Sequence, residues 1–87
     1  SPGRTSAPGR QTSSTLVRIE WNQVSGAKNY DFGIRDMTSN RLVVDTQTTR
    51  TSYTVKLEPG RTYRWNLRAC NEFGCSAFTA PLYFNTP

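Results

Sequence analysis

From position 15 onward, apolar residues recur at every second position in short runs. Val17, Ile19 and Trp21 share one face of a run whose other face carries Arg18 and Glu20. Tyr30, Phe32 and Ile34 alternate with Asp31, Gly33 and Arg35, and Tyr53, Val55 and Leu57 alternate with Thr54 and Lys56. In the longest run, Tyr63, Trp65, Leu67 and Ala69 alternate with Arg64, Asn66, Arg68 and Cys70. A period of two belongs to a strand with one face buried and one face wet. The pattern predicts strands over residues 15–21, 30–36, 41–46, 52–57 and 63–71, with a last one over about 76–85 that turns Leu82 and Phe84 inward. Turn chemistry separates them: Ser25-Gly26, Thr38-Ser39-Asn40, Pro59-Gly60 and the stretch Asn71-Glu72-Phe73-Gly74. Pro81 interrupts the last run, which suits an edge strand. No stretch repeats with helical period. The class is all-β, and short strands between regular turns indicate a sandwich of two antiparallel sheets.

Residues 1–14 are different. They are Ser, Thr, Pro, Gly and Arg with one Gln, no apolar side chain is larger than Ala7 apart from the prolines, and Pro-Gly-Arg occurs at both Pro2 and Pro8. Such a composition buries too little to offset the entropy of ordering, and it reads as a linker whose second half has room for a weak first strand. The domain proper is then 15–87.

With 87 residues there is one core. Ten aromatic residues support the β assignment. The net charge is +5, from nine Arg and two Lys against six acids, but the arginines are spread along the chain. That balance is compatible with an anionic partner without pointing to one. No apolar run approaches a membrane span and no signal-peptide pattern is present.

Several residues in a fixed order resemble a fibronectin type III domain over about residues 15–86. Trp21 stands where that family's early strand ends in a core tryptophan, and Gly26-Ala27-Lys28-Asn29-Tyr30 resembles the opening of its next strand. Leu57, Pro59, Gly60 and Tyr63 match its Leu-x-Pro-Gly-x-x-Tyr segment, and Ala69, Asn71, Gly74 and Ser76 match its last hairpin. The resemblance implies an immunoglobulin-like sandwich of about seven strands, with Tyr63 as corner tyrosine bonding backbone of the preceding loop. Its usual first strand has no apolar counterpart in residues 1–14. The Cys70 and Cys75 pair lies outside the general pattern and is similar to a variant in secreted bacterial members.

The two cysteines flank a hairpin, and residues facing each other there lie close enough for a disulfide, with free thiols as the alternative. Cys70 is expected on the outward face of its strand. A pairing points to an oxidising compartment, and so to a secreted or cell-surface location. A metal would need two further ligands and there is no histidine. Trp21 and Trp65 fall on inward positions, so core packing is preferred over sugar stacking; Tyr30, Phe32, Tyr53, Leu57, Leu67 and Phe84 join that core. Phe73 belongs at a loop tip, either exposed as a contact residue or folded back over the hairpin, with Phe78 placed to join it. Arg35, Arg64 and Arg68 project from adjacent strands as a basic stripe, with Asp31 on the same face as a pairing partner.

Catalysis is not indicated. The chain has no histidine base, no carboxylate pair spaced across a cleft, no phosphate-cradling glycine loop and no calcium loop. Asn-x-Ser/Thr and Arg-Gly-Asp are absent. The expectation is a non-enzymatic module of a larger protein, serving as spacer or protein-interaction domain without cofactor. Its partners would be neighbouring domains, another protein or a polysaccharide; membrane insertion and nucleic acid are not expected. One alternative is a carbohydrate-binding accessory module of a polysaccharide- or cell-wall-degrading enzyme, using Phe73, Phe78 and Tyr83 in a row. The other is a polyanion-binding module using the arginines, marked by steep salt dependence.

Overall fold

A computed structural model describes residues 9–87. Of the linker expected over residues 1–14, residues 1–8 lie outside the described residues, and the weak first strand allowed in its second half is present as Arg10–Gln11. Eight strands follow in order: β1 (Arg10–Gln11), β2 (Leu16–Glu20), β3 (Asn29–Asp36), β4 (Arg41–Thr48), β5 (Ser52–Lys56), β6 (Thr62–Asn71), β7 (Gly74–Cys75) and β8 (Leu82–Asn85). The larger sheet runs β1-β8-β6-β3-β4, with β7 also paired to β6, and the smaller sheet is β2-β5. No helix occurs among the described residues, so none there is long and apolar enough to cross a membrane.

The period-two pattern decides what each strand buries. Val17 and Ile19 of β2, Tyr30, Phe32 and Ile34 of β3, and Tyr63, Trp65 and Leu67 of β6 turn inward and form one cluster with Val44, Leu57 and Phe84. Phe32 sits at its centre: Trp21 stacks on it at 5.2 Å, Tyr53 lies at 5.2 Å and Trp65 at 5.8 Å between ring centroids. Trp21 and Tyr53 are partly buried and pack against the cluster from its rim. Offset and tilted rings at these separations add to the burial they provide.

The turn before β6 is tied at three points. Gly60 has φ +66, the conformation demanded after proline in a type II turn, and its N–H donates to the Pro87 carbonyl at 2.8 Å. The Glu58 N–H donates to the Tyr63 hydroxyl at 3.0 Å, and the Tyr63 ring stacks on Phe84 at 5.6 Å. Buried Thr86 donates its hydroxyl to the Glu58 carbonyl at 2.6 Å and accepts from the Arg61 N–H at 3.1 Å. Burial raises the Tyr63 pKa above its ordinary value, against the opposing effect of the Glu58 N–H.

Asp36, at the end of β3, is a charged group inside this end of the sandwich, only 3% exposed. Its carboxylate accepts from the Arg61 guanidinium at 2.7 Å and from the Thr38 and Ser39 N–H groups at 2.8 and 3.2 Å. Burial pushes its pKa up; those three donors more than offset it, and the carboxyl lies below its ordinary value of 3.8.

Four expectations are corrected. The last strand does not run unbroken over 76–85: β7 ends at Cys75 and β8 starts at Leu82, with the Ser76 and Thr79 N–H groups donating to the carbonyls of Ala69 and Leu67 while their hydroxyls accept from the N–H groups of the same two residues. The Ser-Ala-Phe-Thr-Ala-Pro stretch has few β-branched residues and ends in a residue without N–H, so the ladder lapses there. Nor is β8 the edge of its sheet. β1 flanks it in parallel, with Arg10 opposite Phe84 and Gln11 opposite Asn85. Gly9 makes that approach possible, because a Cβ there would run into the Tyr83 carbonyl. Thirdly, the strand expected over 41–46 extends to Thr48, and Leu42 and Val43 remain half exposed while Val44 is buried. Fourthly, Cys70 is buried despite its outward position, held there by its partners at the hairpin.

Phe32→Ala is expected to cost about 3–5 kcal/mol in chemical denaturation, since it empties the centre of the aromatic cluster. Asp36→Asn is expected to cost about 1–3 kcal/mol at neutral pH. Because the folded pKa of Asp36 is lowered, its stabilisation is complete above the ordinary carboxylate range and is lost as pH falls through the folded value. The stability of Asp36→Asn should accordingly fall less steeply on acidification than that of the parent chain. An equal slope would mean that Asp36 contributes nothing to the acid sensitivity of the fold.

Candidate functional site

The hairpin between β6 and β7 forms one tip of the molecule. Cys70 lies opposite Cys75 and Asn71 opposite Gly74, leaving Glu72 and Phe73 as its connection. The two cysteines form a disulfide with Cα atoms 4.0 Å apart. Cys70 is 6% exposed although the alternation sends it outward, because its sulfur is tied to Cys75 and lies 3.7 Å from the Asp31 carboxylate. Cys75 itself is exposed.

Around the staple the loop is held by short polar contacts. The Asn71 carboxamide accepts from the Phe73 N–H at 2.8 Å, an Asx turn, and donates to the Gly26 carbonyl at 3.3 Å. Lys28 pairs with Glu72 at 3.1 Å, and the Lys28 N–H donates to the Cys70 carbonyl at 2.8 Å. The preceding loop is fixed in turn by the Val24 N–H donating to the Tyr30 hydroxyl at 2.9 Å. Phe73 does not fold back. It is 90% exposed, the most exposed of the large apolar side chains. A rigid loop therefore presents an unsheltered ring.

The outward face of the larger sheet holds the arginines. Arg68 donates to Asp31 at 2.8 Å and lies over the Phe78 ring at 4.8 Å, while Gln47 donates to the other Asp31 oxygen at 3.2 Å. The Arg68 hydrogen bond outweighs partial burial and, with Gln47, holds the Asp31 carboxyl below its ordinary value. Arg68 is thus neutralised. Arg35 and Arg64 are not: they stand directly opposite each other between β3 and β6, and neither forms an ion pair with an acid among the described residues. The Arg35 guanidinium donates to the Asn40 carbonyl at 3.0 Å. The expected stripe of three is therefore a pair of like charges plus a separate ion-paired arginine.

Asp31, Cys70 and Cys75 bring potential metal-ligating atoms within 4.8 Å of one another, a grouping that sequence spacing hid because Asp31 arrives from β3. With the sulfurs bonded to each other and Arg68 on the carboxylate, the trio does not make a ligand set. Phe73, Phe78 and Tyr83 share no ring contact. What these surfaces offer is contact, through one exposed ring and one uncompensated pair of guanidinium groups.

Reducing the disulfide should lower stability by about 2 kcal/mol, the share that chain entropy assigns to so short a loop. Amide exchange at Glu72 and Phe73 should accelerate while the β3–β6 ladder stays protected. Loss of the whole fold on reduction would contradict this local role.

No family model matches the chain, and no curated protein matches it. Solved structures do. The fibronectin type III domain FN3tt superimposes with a TM-score of 0.64 at 26% identity, over 87% of this chain and 85% of that one. A mutant of FN3tt gives 0.59 at 27%, over 79% and 72%. The twitchin kinase region of C. elegans gives 0.63 at 21%, covering 92% of this chain and 15% of that much longer one. Strand order, the Tyr63 corner and these superpositions agree: the chain has the fibronectin type III fold.

Proposed function

We propose that the chain is a non-catalytic module of a larger secreted or cell-surface protein, acting as a protein-interaction domain through its stapled hairpin tip. The observation that carries this reading is Phe73, 90% exposed on a loop fixed by a disulfide, an Asx turn and the Lys28–Glu72 pair. Holding an apolar ring rigidly in water gains nothing for folding, whereas a preorganised aromatic loses little entropy on docking. The disulfide supports the extracellular location. A fold generally found in non-enzymatic modules supports the absence of catalysis.

A second reading has its own observation, the Arg35–Arg64 pair. Like charges placed opposite each other cost stability unless a ligand compensates them, which favours contact with an anion on the sheet face. The carbohydrate reading is weaker, since it asks for a row of free rings and the Phe78 ring is already covered by the Arg68 guanidinium at 4.8 Å.

Phe73→Ala should leave stability unchanged within about 0.5 kcal/mol, since the ring packs on nothing. An amide chemical-shift titration with soluble cell-wall and plant polysaccharide fragments and with heparin, each at low and physiological salt, separates the readings. The protein-contact reading predicts no shifts with any of them. Shifts at Arg35 and Arg64 that vanish with salt would replace it by anion binding, and salt-independent shifts at Phe73 and Phe78 by sugar binding.

A further inference from the structure

The smaller sheet has two strands, and β2 is one of its edges. The register runs from Leu16 opposite Lys56 to Glu20 opposite Ser52 without a break. Two flanking hydrogen bonds, Leu57 N–H to the Thr15 carbonyl and Trp21 N–H to the Thr51 carbonyl, set its phase. Backbone groups of Thr15, Val17, Ile19 and Trp21 therefore face β5, and those of Leu16, Arg18 and Glu20 face away. The Leu16 N–H is taken by the Ser14 hydroxyl at 3.0 Å. The N–H and C=O groups of Arg18 and Glu20 have no partner among the described residues. Beside this edge runs a groove of about 370 Å³ lined by residues 10–14 and 16–18, which leaves room for another strand.

We propose that this edge pairs with the same edge of a second copy, β2 antiparallel to β2 across a two-fold axis, giving a four-stranded sheet β5-β2-β2-β5. Outward backbone must meet outward backbone, so the possible registers differ by steps of two. One sets Arg18 against Arg18 of the second copy, and another sets Glu20 against Glu20 of the second copy. The register between them sets each Arg18 against the Glu20 of the other copy. That register joins the two residues whose backbone is unpaired, makes four backbone hydrogen bonds and matches charge at both positions. The side chains concerned already attract each other within one copy, Arg18 Nε to Glu20 at 3.0 Å on the exposed face.

Of the remaining edges, that of β4 competes poorly. β4 bounds the larger sheet, but its ladder with β3 shifts register between Ile34 and Arg35, and such a bulge twists an edge away from a flat partner. β2 carries no bulge, proline or lysine to blunt it. Its two-stranded sheet is also the one with most to gain from further strands. Five residues make a short edge, so the dimer is weak and reversible.

The test uses the full chain in sedimentation and in amide exchange followed by NMR as concentration rises toward millimolar. Association should appear, and the Arg18 and Glu20 amides should gain protection with concentration while those of Val17 and Ile19 do not change. Arg18→Glu and Glu20→Arg should each raise the dissociation constant roughly tenfold or more, by creating like-charge pairs. An equimolar mixture of those two variants, or the chain carrying both changes, should associate as the parent does. A monomer at every concentration overturns the proposal. Association indifferent to these charge reversals overturns it as well.

Discussion

The inner row of β6 is the constraint on which the rest of the sandwich depends. β6 is paired to three other strands, β3, β7 and β8, and its Tyr63, Trp65 and Leu67 are all within 5% of complete burial. Each side chain of that row answers to a different neighbour: Trp65 to the cluster around Phe32, Tyr63 to Phe84 and the Glu58 N–H. A shift of one residue would turn all three into water and bring Arg64, Asn66 and Arg68 inside. The turn that feeds the strand is tied to the chain's last residues through Thr86 and Pro87. Register, core and closure are therefore set by one segment.

Much of this is legible in the amino-acid sequence, because the determining pattern is local. Alternation in residues 17–21, 30–35 and 63–69 assigns the buried faces, and Pro59-Gly60 marks its turn by backbone chemistry alone. What escapes reading depends on partners distant along the chain. Nothing in Gly9-Arg10-Gln11 announces a parallel pairing with Phe84 and Asn85, since two-residue strands have no period. Alternation places Asp36 on the inward face with Ile34, but it does not name the partners that let a carboxylate stay there, Arg61 and two turn amides. Cys70 obeys the alternation in direction and violates it in exposure, because burial there comes from a covalent partner and from Asp31 on the next strand. Which arginine of the basic stripe meets Asp31, the acid expected to pair on that face, is likewise a matter of cross-strand register.

The surfaces on which the proposed readings rest are those the core leaves free. One is the stapled tip, where contacts from Asn71, Lys28 and the disulfide hold a loop whose aromatic side chain is 90% exposed. Another is the sheet face, where Asp31 neutralises Arg68 and leaves Arg35 facing Arg64. The third is the β2 edge, open because the first strand went to the other sheet. All three sit on a scaffold rigid enough to present them, and none requires chemistry beyond contact.

The most direct test of the organising role of β6 is native-state amide exchange across a range of denaturant below the unfolding midpoint. If β6 holds the sandwich together, the amides shared between β3 and β6 exchange last and only through global unfolding, with β1 and its partner in β8 opening earlier by local fluctuation. If the β2–β5 amides outlast those of the β3–β6 ladder, the organising role assigned to β6 is wrong.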